Sequence, residues 1–116
     1  MIFKFELPVS VNNLYGHKRG GGVYKKAKGK AWENEAMKQI MIQRLGQKKP
    51  HGDRFLMMVT VFLADKRRHD LDNLMKQLQD VLVKKEIIPD DNLIEEIHIY
   101  KRKSTYKENY LTVEIQ

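Results

Sequence analysis

Residues Phe55-Leu56-Met57-Met58-Val59-Thr60-Val61-Phe62-Leu63 form an unbroken run of β-branched, aromatic and long aliphatic side chains, with one threonine. Nine such residues predict a central strand. Eight positions on, Leu71, Leu74, Leu78, Val81 and Leu82 recur at helical spacing up to about Lys85. Pro89-Asp90-Asp91-Asn92 then reads as a turn. Leu93 to Arg102 sets Ile94, Ile97 and Ile99 among polar residues, and Tyr110 to Ile115 alternates again, so both are predicted strands. Toward the N-terminus, Ala31 to Leu45 reads as a helix. Trp32, Ala36, Ile40 and Leu45 lie roughly on one stripe, and Gly46 is the stop. Ile2 to Leu7 alternates apolar and polar, and Pro8 ends it. The order is strand, basic loop, helix, strand, helix, strand, strand. That is an α/β (α+β) fold in a single domain over residues 1–116, with a mixed sheet packed by two main helices.

Composition narrows the function. The chain has 116 residues, enough for one core without staples. It has no cysteine, which removes disulfide scaffolds, Cys-ligated zinc, iron–sulfur clusters and thiol catalysis. Net charge is +7 and the sequence pI about 9.6. This balance suits a polyanion partner, nucleic acid first and an anionic membrane second. Lys4 and Glu6 stand where a signal peptide needs an apolar run, and no stretch approaches the ~20 apolar residues of a membrane span. A soluble, cytoplasmic protein with no membrane partner is expected. Between Ser10 and Lys30 lies a polar stretch with five glycines, three of them consecutive at Gly20, Gly21 and Gly22. Its cations Lys18, Arg19, Lys25, Lys26, Lys28 and Lys30 have no acid among them, and a mobile hinge is expected there.

The densest chemistry is Asp65-Lys66-Arg67-Arg68-His69-Asp70-Leu71-Asp72-Asn73, between the apolar strand and the second helix. In extended backbone Asp70 and Asp72 point to one side while Leu71 turns to the core. Two close carboxylates repel unless a cation lies between them, and hard oxygen ligands suit Mg²⁺, with Mn²⁺ as a substitute. Lys76 follows Asp72 by one helical turn. A third carboxylate is available from Asp90 or Asp91. A structural reading competes: Asp before a helix is a preferred cap, Asp72 with Lys76 is an ordinary surface pair, and Asp90-Asp91 is ordinary turn chemistry. The neighbouring cations favour a site that grips a phosphodiester and holds a metal over it.

Other motifs fail. The glycines of the basic stretch lack the Gly-Lys-Ser/Thr ending of a P-loop, and Asp70-x-Asp72-Asn73 lacks the glycine and distal glutamate of an EF-hand. His17, His51, His69 and His98 are scattered without metal-ligand spacing. Ser10 and Ser104 have no triad context. Phe55 to Met58 and Trp32 read as core.

The run Lys66 to Leu74, with Lys76 and then Asp90-Asp91, resembles the RusA family of Holliday junction resolvases. Pro8-Val9-Ser10-Val11-Asn12-Asn13-Leu14-Tyr15 resembles that family's Pro-x-Ser-x-Asn-x-x-Tyr opening, and the Tyr110 to Ile115 strand fits its close. His69 stands where the family often continues its arginine run. The resemblance implies a RusA-like, homodimeric, Mg²⁺-dependent endodeoxyribonuclease that nicks four-way junctions symmetrically in recombination and repair, with a preference for a CC dinucleotide. It implies Asp70, Asp72 and Asp91 as metal-binding carboxylates and Lys76 as an essential cation beside them. Asn12, Asn13, Tyr15, Lys18, Arg19, Lys25, Lys26, Lys66, Arg67, Arg68 and His69 are the DNA-binding candidates.

Two rival functions stay open at this level: a nuclease selective for flaps or forks, and a non-catalytic basic nucleic-acid-binding module whose aspartates only cap a helix. Two nicks in strands of like polarity favour a C₂ dimer. Its apolar interface is available on the exposed side of the first helix or on the strands.

Overall fold

A computed structural model describes residues 1–7, 15–17, 23–25, 27–64, 71–105 and 108–116. The elements are β1 (Ile2–Glu6), β2 (Tyr15–His17), β3 (Val23–Lys25), α1 (Ala27–Gln43), β4 (Phe55–Leu63), α2 (Leu71–Lys84), a 3-10 turn (Asp91–Leu93), β5 (Ile94–Lys103) and β6 (Tyr110–Ile115). Among the described residues β1, β6, β4 and β5 form one sheet in that order. β6 runs antiparallel to both neighbours, and β5 runs parallel to β4. The sheet is mixed, as the sequence predicts, and β4 is interior.

One face of this sheet carries the core. Phe3 and Phe5 pair with Val113 and Leu111, which pair in turn with Val59 and Val61. These six side chains are buried, and α2 adds Leu74, Leu78, Val81 and Leu82. β4 is buried on that face alone: Phe55 and Met57 are core, whereas Leu56 and Met58 are half-buried on the other. Burying a side chain of this size contributes about 1.5–3 kcal/mol.

The first helix departs from expectation at both ends. It begins at Ala27, four residues before Ala31, and ends at Gln43. Ala and Lys are good helix formers, so the last basic residues of the polar stretch join the helix. Leu45 falls in the turn after it and is 76% exposed, so it is not part of the buried stripe of Trp32, Ala36 and Ile40. Gly46 takes φ +78°, the left-handed conformation that ends helices. The polar stretch also holds an antiparallel hairpin, with Tyr15 opposite Lys25 and His17 opposite Val23. Gly20, Gly21 and Gly22, where a hinge is expected, lie outside the described residues.

α1 is tied to the sheet by amide side chains. Gln43 bonds the Lys4 backbone through both amide atoms at 2.7 Å, Gln47 bonds Ile2 likewise, and the Trp32 indole donates to the Glu6 carbonyl at 2.7 Å. A buried polar cluster joins α1 to α2. Gln77 Nε2 donates to the Gly29 carbonyl at 2.7 Å and to Glu33 at 3.2 Å, and Lys84 pairs with Glu33. Among the described residues no helix is long and apolar enough to cross a membrane.

Candidate functional site

α2 positions the first half of the candidate site. Its amphipathic spacing buries Leu74, Met75, Gln77 and Leu78, which turns Asp72 and Lys76 outward on one stripe. The helix starts at Leu71, so Asp72 is its second residue. The extended arrangement expected of Asp70 and Asp72 therefore does not hold at Asp72, and Asp70 lies outside the described residues. In the first turn, the Asp72 carboxylate faces the positive end of the helix dipole, a favourable placement for an anion. Leu71 packs against the core, as expected.

Asp91 belongs to the other end of α2. It opens the 3-10 turn that leads into β5. Asp90 precedes it in extended conformation and accepts from the Asn92 backbone N–H at 3.0 Å. That bond, with a hydrogen bond to Asp91, holds the Asp90 carboxyl below its usual range. Asp91 is pushed up, first by its hydrogen bond to Asp90 and then by burial and the charges of Asp90 and Asp80. On acidification Asp91 is therefore protonated before Asp90.

Topology explains why Asp72 and Asp91 are apart. β4 and β5 are parallel, with Phe55 beside Ile94 and Leu63 beside Lys103. The helix between them must run back along the sheet, so its first turn lies at the Leu63 end and the Asp91 turn at the Phe55 end. Asp80, the neighbour of Asp91, is two turns or about 12 Å along the helix from Asp72. Asp80 sits eight residues after Asp72 and four after Lys76, on the same stripe. The sequence reading missed it, although that i+4 spacing is the signal for it.

Oxygen donors are the right chemistry for Mg²⁺, which takes bonds of about 2.1 Å in near-octahedral geometry. The described carboxylates of one chain do not by themselves gather round such an ion: no group of three His, Asp or Glu among the described residues is placed to hold a metal. Asp70, Lys66, Arg67, Arg68 and His69 lie outside the described residues, as do Asn12, Asn13, Lys18, Arg19 and Lys26. Tyr15 and Lys25 are register partners in the backbone of the β2–β3 hairpin. His98 is exposed on β5, 3.6 Å from the Glu96 carboxylate.

Comparison with known proteins gives this arrangement a family. The family model described as endodeoxyribonuclease RusA matches residues 6–116, from the end of β1 through β6. The chain belongs to the RusA family. It is 32% identical over 110 residues to the crossover junction endodeoxyribonuclease RusA of Aquifex aeolicus (strain VF5), covering 95% of this chain and 86% of that one. It is 29% identical over 100 residues to the crossover junction endodeoxyribonuclease rusA of Enterobacteria phage HK97, covering 85% and 82% respectively. The resemblance read from the aspartate run and the N-terminal motif is thereby borne out. In this RusA-family fold, the Asp72–Lys76 stripe and the Asp90-Asp91 turn are the two ends of one β-α-β unit.

Proposed function

We propose that this chain resolves four-way DNA junctions by paired, symmetric, metal-dependent nicks, acting as a homodimer. The observation that carries this reading is the match to crossover junction endodeoxyribonucleases over 95% of the chain. Exposure of Asp72, Lys76 and Asp91 supports it, because each is open to a DNA backbone.

Asp70, Asp72 and Asp91 would hold the ion, with Mg²⁺ the resident metal and Mn²⁺ a substitute. Once bound, a divalent ion supplies Lewis acidity at the phosphate and a water of lowered pKa. Lys76, one turn from Asp72, presents an ammonium that offsets negative charge developing on the phosphate. Asp91 acts as a ligand in its ionised form, which its raised pKa makes harder to keep on acidification. The cations Lys18, Arg19, Lys25, Lys26, Lys66, Arg67 and Arg68, with Asn12, Asn13, Tyr15 and His69, would bind phosphates and fix the register of the junction arms.

The test is a panel of synthetic four-way junction, flap and linear duplex, each with and without Mg²⁺. Paired nicks confined to the junction and to the Mg²⁺ lanes are expected. Preferred cutting of the flap would replace the junction reading with a flap nuclease. Binding of all three without cutting would leave a non-catalytic binding module.

A further inference from the structure

β5 ends on three consecutive cations, Lys101, Arg102 and Lys103, at the end of the sheet where α2 begins. None of the three belongs to the basic segments read from the sequence. Register sorts them by face, because paired residues of neighbouring strands point to one side and successive residues to opposite sides. Lys101 lies beside Val61 and Lys103 beside Leu63, and Val61 is buried under the helix layer. Both lysines therefore stand on the helix-bearing face. Arg102 lies beside Phe62 and projects from the opposite face.

The cations at this end are not equally engaged. On the opposite face the Arg102 guanidinium lies 5.2 Å from the centre of the Tyr100 ring, and the Lys4 ammonium 4.5 Å from that of Tyr110. The acids of β5 are at its other end, where Glu95 pairs with Arg54 at 3.4 Å and Glu96 with His98 at 3.6 Å. Among the described residues no acid or aromatic ring engages Lys101 or Lys103. Neither is covered, since β5 is exposed from Glu95 to Lys103 and the helix layer stops short of it. Two residues apart on a strand is about 6.6 Å, at about 3.3 Å per residue. That is close to the step between successive phosphates of a DNA strand. Two ammonium groups at this spacing thus stand on a bare strip of sheet, on the face and at the end that carry Asp72.

We infer that Lys101 and Lys103 bind the DNA backbone beside the cutting site, each taking a phosphate of one strand on the strip of sheet next to α2. Asp72 and Lys76 reach that strand from the helix, and the two lysines hold it from the sheet. Contacts of this kind fix the register of the duplex and carry no sequence information. The lysines are positioning residues, so they bear on binding and not on bond breaking. The inference rests on the junction-cutting reading above and adds to it a phosphate rail outside segments 18–30 and 66–68.

The test compares two full-chain variants that lose the same charge from opposite faces, Lys101→Gln/Lys103→Gln and Lys4→Gln/Arg102→Gln. Junction binding is followed by fluorescence anisotropy over a salt series without Mg²⁺, so the result does not depend on cutting. The first variant should lose about 1.8 from the log–log slope, at roughly 0.9 per phosphate contact, and the second should keep the slope of the unaltered chain. An unchanged slope in the first, or an equal loss in both, would overturn the inference. In Mg²⁺ the first variant should show a raised KM for the junction at unchanged kcat, the sign of binding lost equally from ground and transition states. A lowered kcat at unchanged KM would overturn the positioning role. An unaltered chain that binds junctions and cuts none would overturn the nuclease reading, while the slopes still decide the lysines. Lysine acetylation of the unaltered chain keeps the question answerable if a variant fails to fold. Junction DNA should protect Lys101 and Lys103 and leave Lys4 reactive; equal modification with and without DNA would refute the contacts.

Discussion

Glu33 of α1 and Lys84 of α2 form an ion pair in which the glutamate side chain is 6% exposed and the lysine 52%. Gln77 donates to the same carboxylate, and its Oε1 has no hydrogen-bond partner among the described residues. The cluster ties α1 to α2, the helix that carries Asp72 and Lys76.

Removing one partner strands a buried charge, which costs more than the pair gains. Lys84→Met should therefore destabilise the fold by about 3 kcal/mol, the lower end of the range because the lysine is half exposed. Urea denaturation reads this as a lowered midpoint at an unchanged slope. An unchanged midpoint would show that the pair does not join the helices.

With Asp91 as a proposed metal ligand, the Asp90–Asp91 pair should make metal binding sensitive to acid. Asp91 has its pKa raised by Asp90, so it regains its proton while ordinary aspartates are still ionised. The proposed ligand capacity should be present above that raised pKa and lost as pH falls through it. Mg²⁺ affinity measured by calorimetry should decline on acidification before simple carboxylate titration would require. Asp90→Asn removes the neighbouring charge and should move that decline to lower pH. An identical pH profile for Asp90→Asn and the unaltered chain would contradict the coupling.

The basic segments 18–30 and 66–68 should together supply the phosphate contacts of junction binding. Exchanging Lys18, Arg19, Lys25 and Lys26 for Gln should reduce the log–log salt slope of junction binding by up to about 3.6, at roughly 0.9 per phosphate contact. Fluorescence anisotropy over a salt series measures it. An unchanged slope would remove the loop from the interface.

Much of the fold was legible because periodicity and burial agree. The Phe55–Leu63 and Tyr110–Ile115 strands fall where the sequence places them, and α2 ends one residue short of the expected Lys85. β5 was legible despite broken alternation. Its register skips Glu95, pairing Ile94 with Phe55 and Glu96 with Leu56, and this bulge keeps Ile94 and Ile97 on one face though they are three apart. The β2–β3 hairpin was not legible, since three-residue strands beside glycines carry no measurable period. At the site, the Asp72–Lys76 stripe follows directly from helical spacing. The separation of Asp91 does not, because nearness in sequence conceals that α2 runs the length of the sheet between them. Glu33 and Gln77 were missed because a buried polar pair looks, in sequence, like any exposed helix residue.

Asp72→Asn tests the nuclease reading most directly. The change keeps side-chain size and removes one negative charge from the first turn of α2, costing stability no more than about 1 kcal/mol through the helix dipole. Cleavage of a four-way junction in Mg²⁺ is measured beside binding of the same junction. The variant should bind at least as tightly, because a carboxylate facing phosphate is gone, and should cut about 10²-fold more slowly or not at all. Cutting by Asp72→Asn at the rate of the unaltered chain would contradict the account.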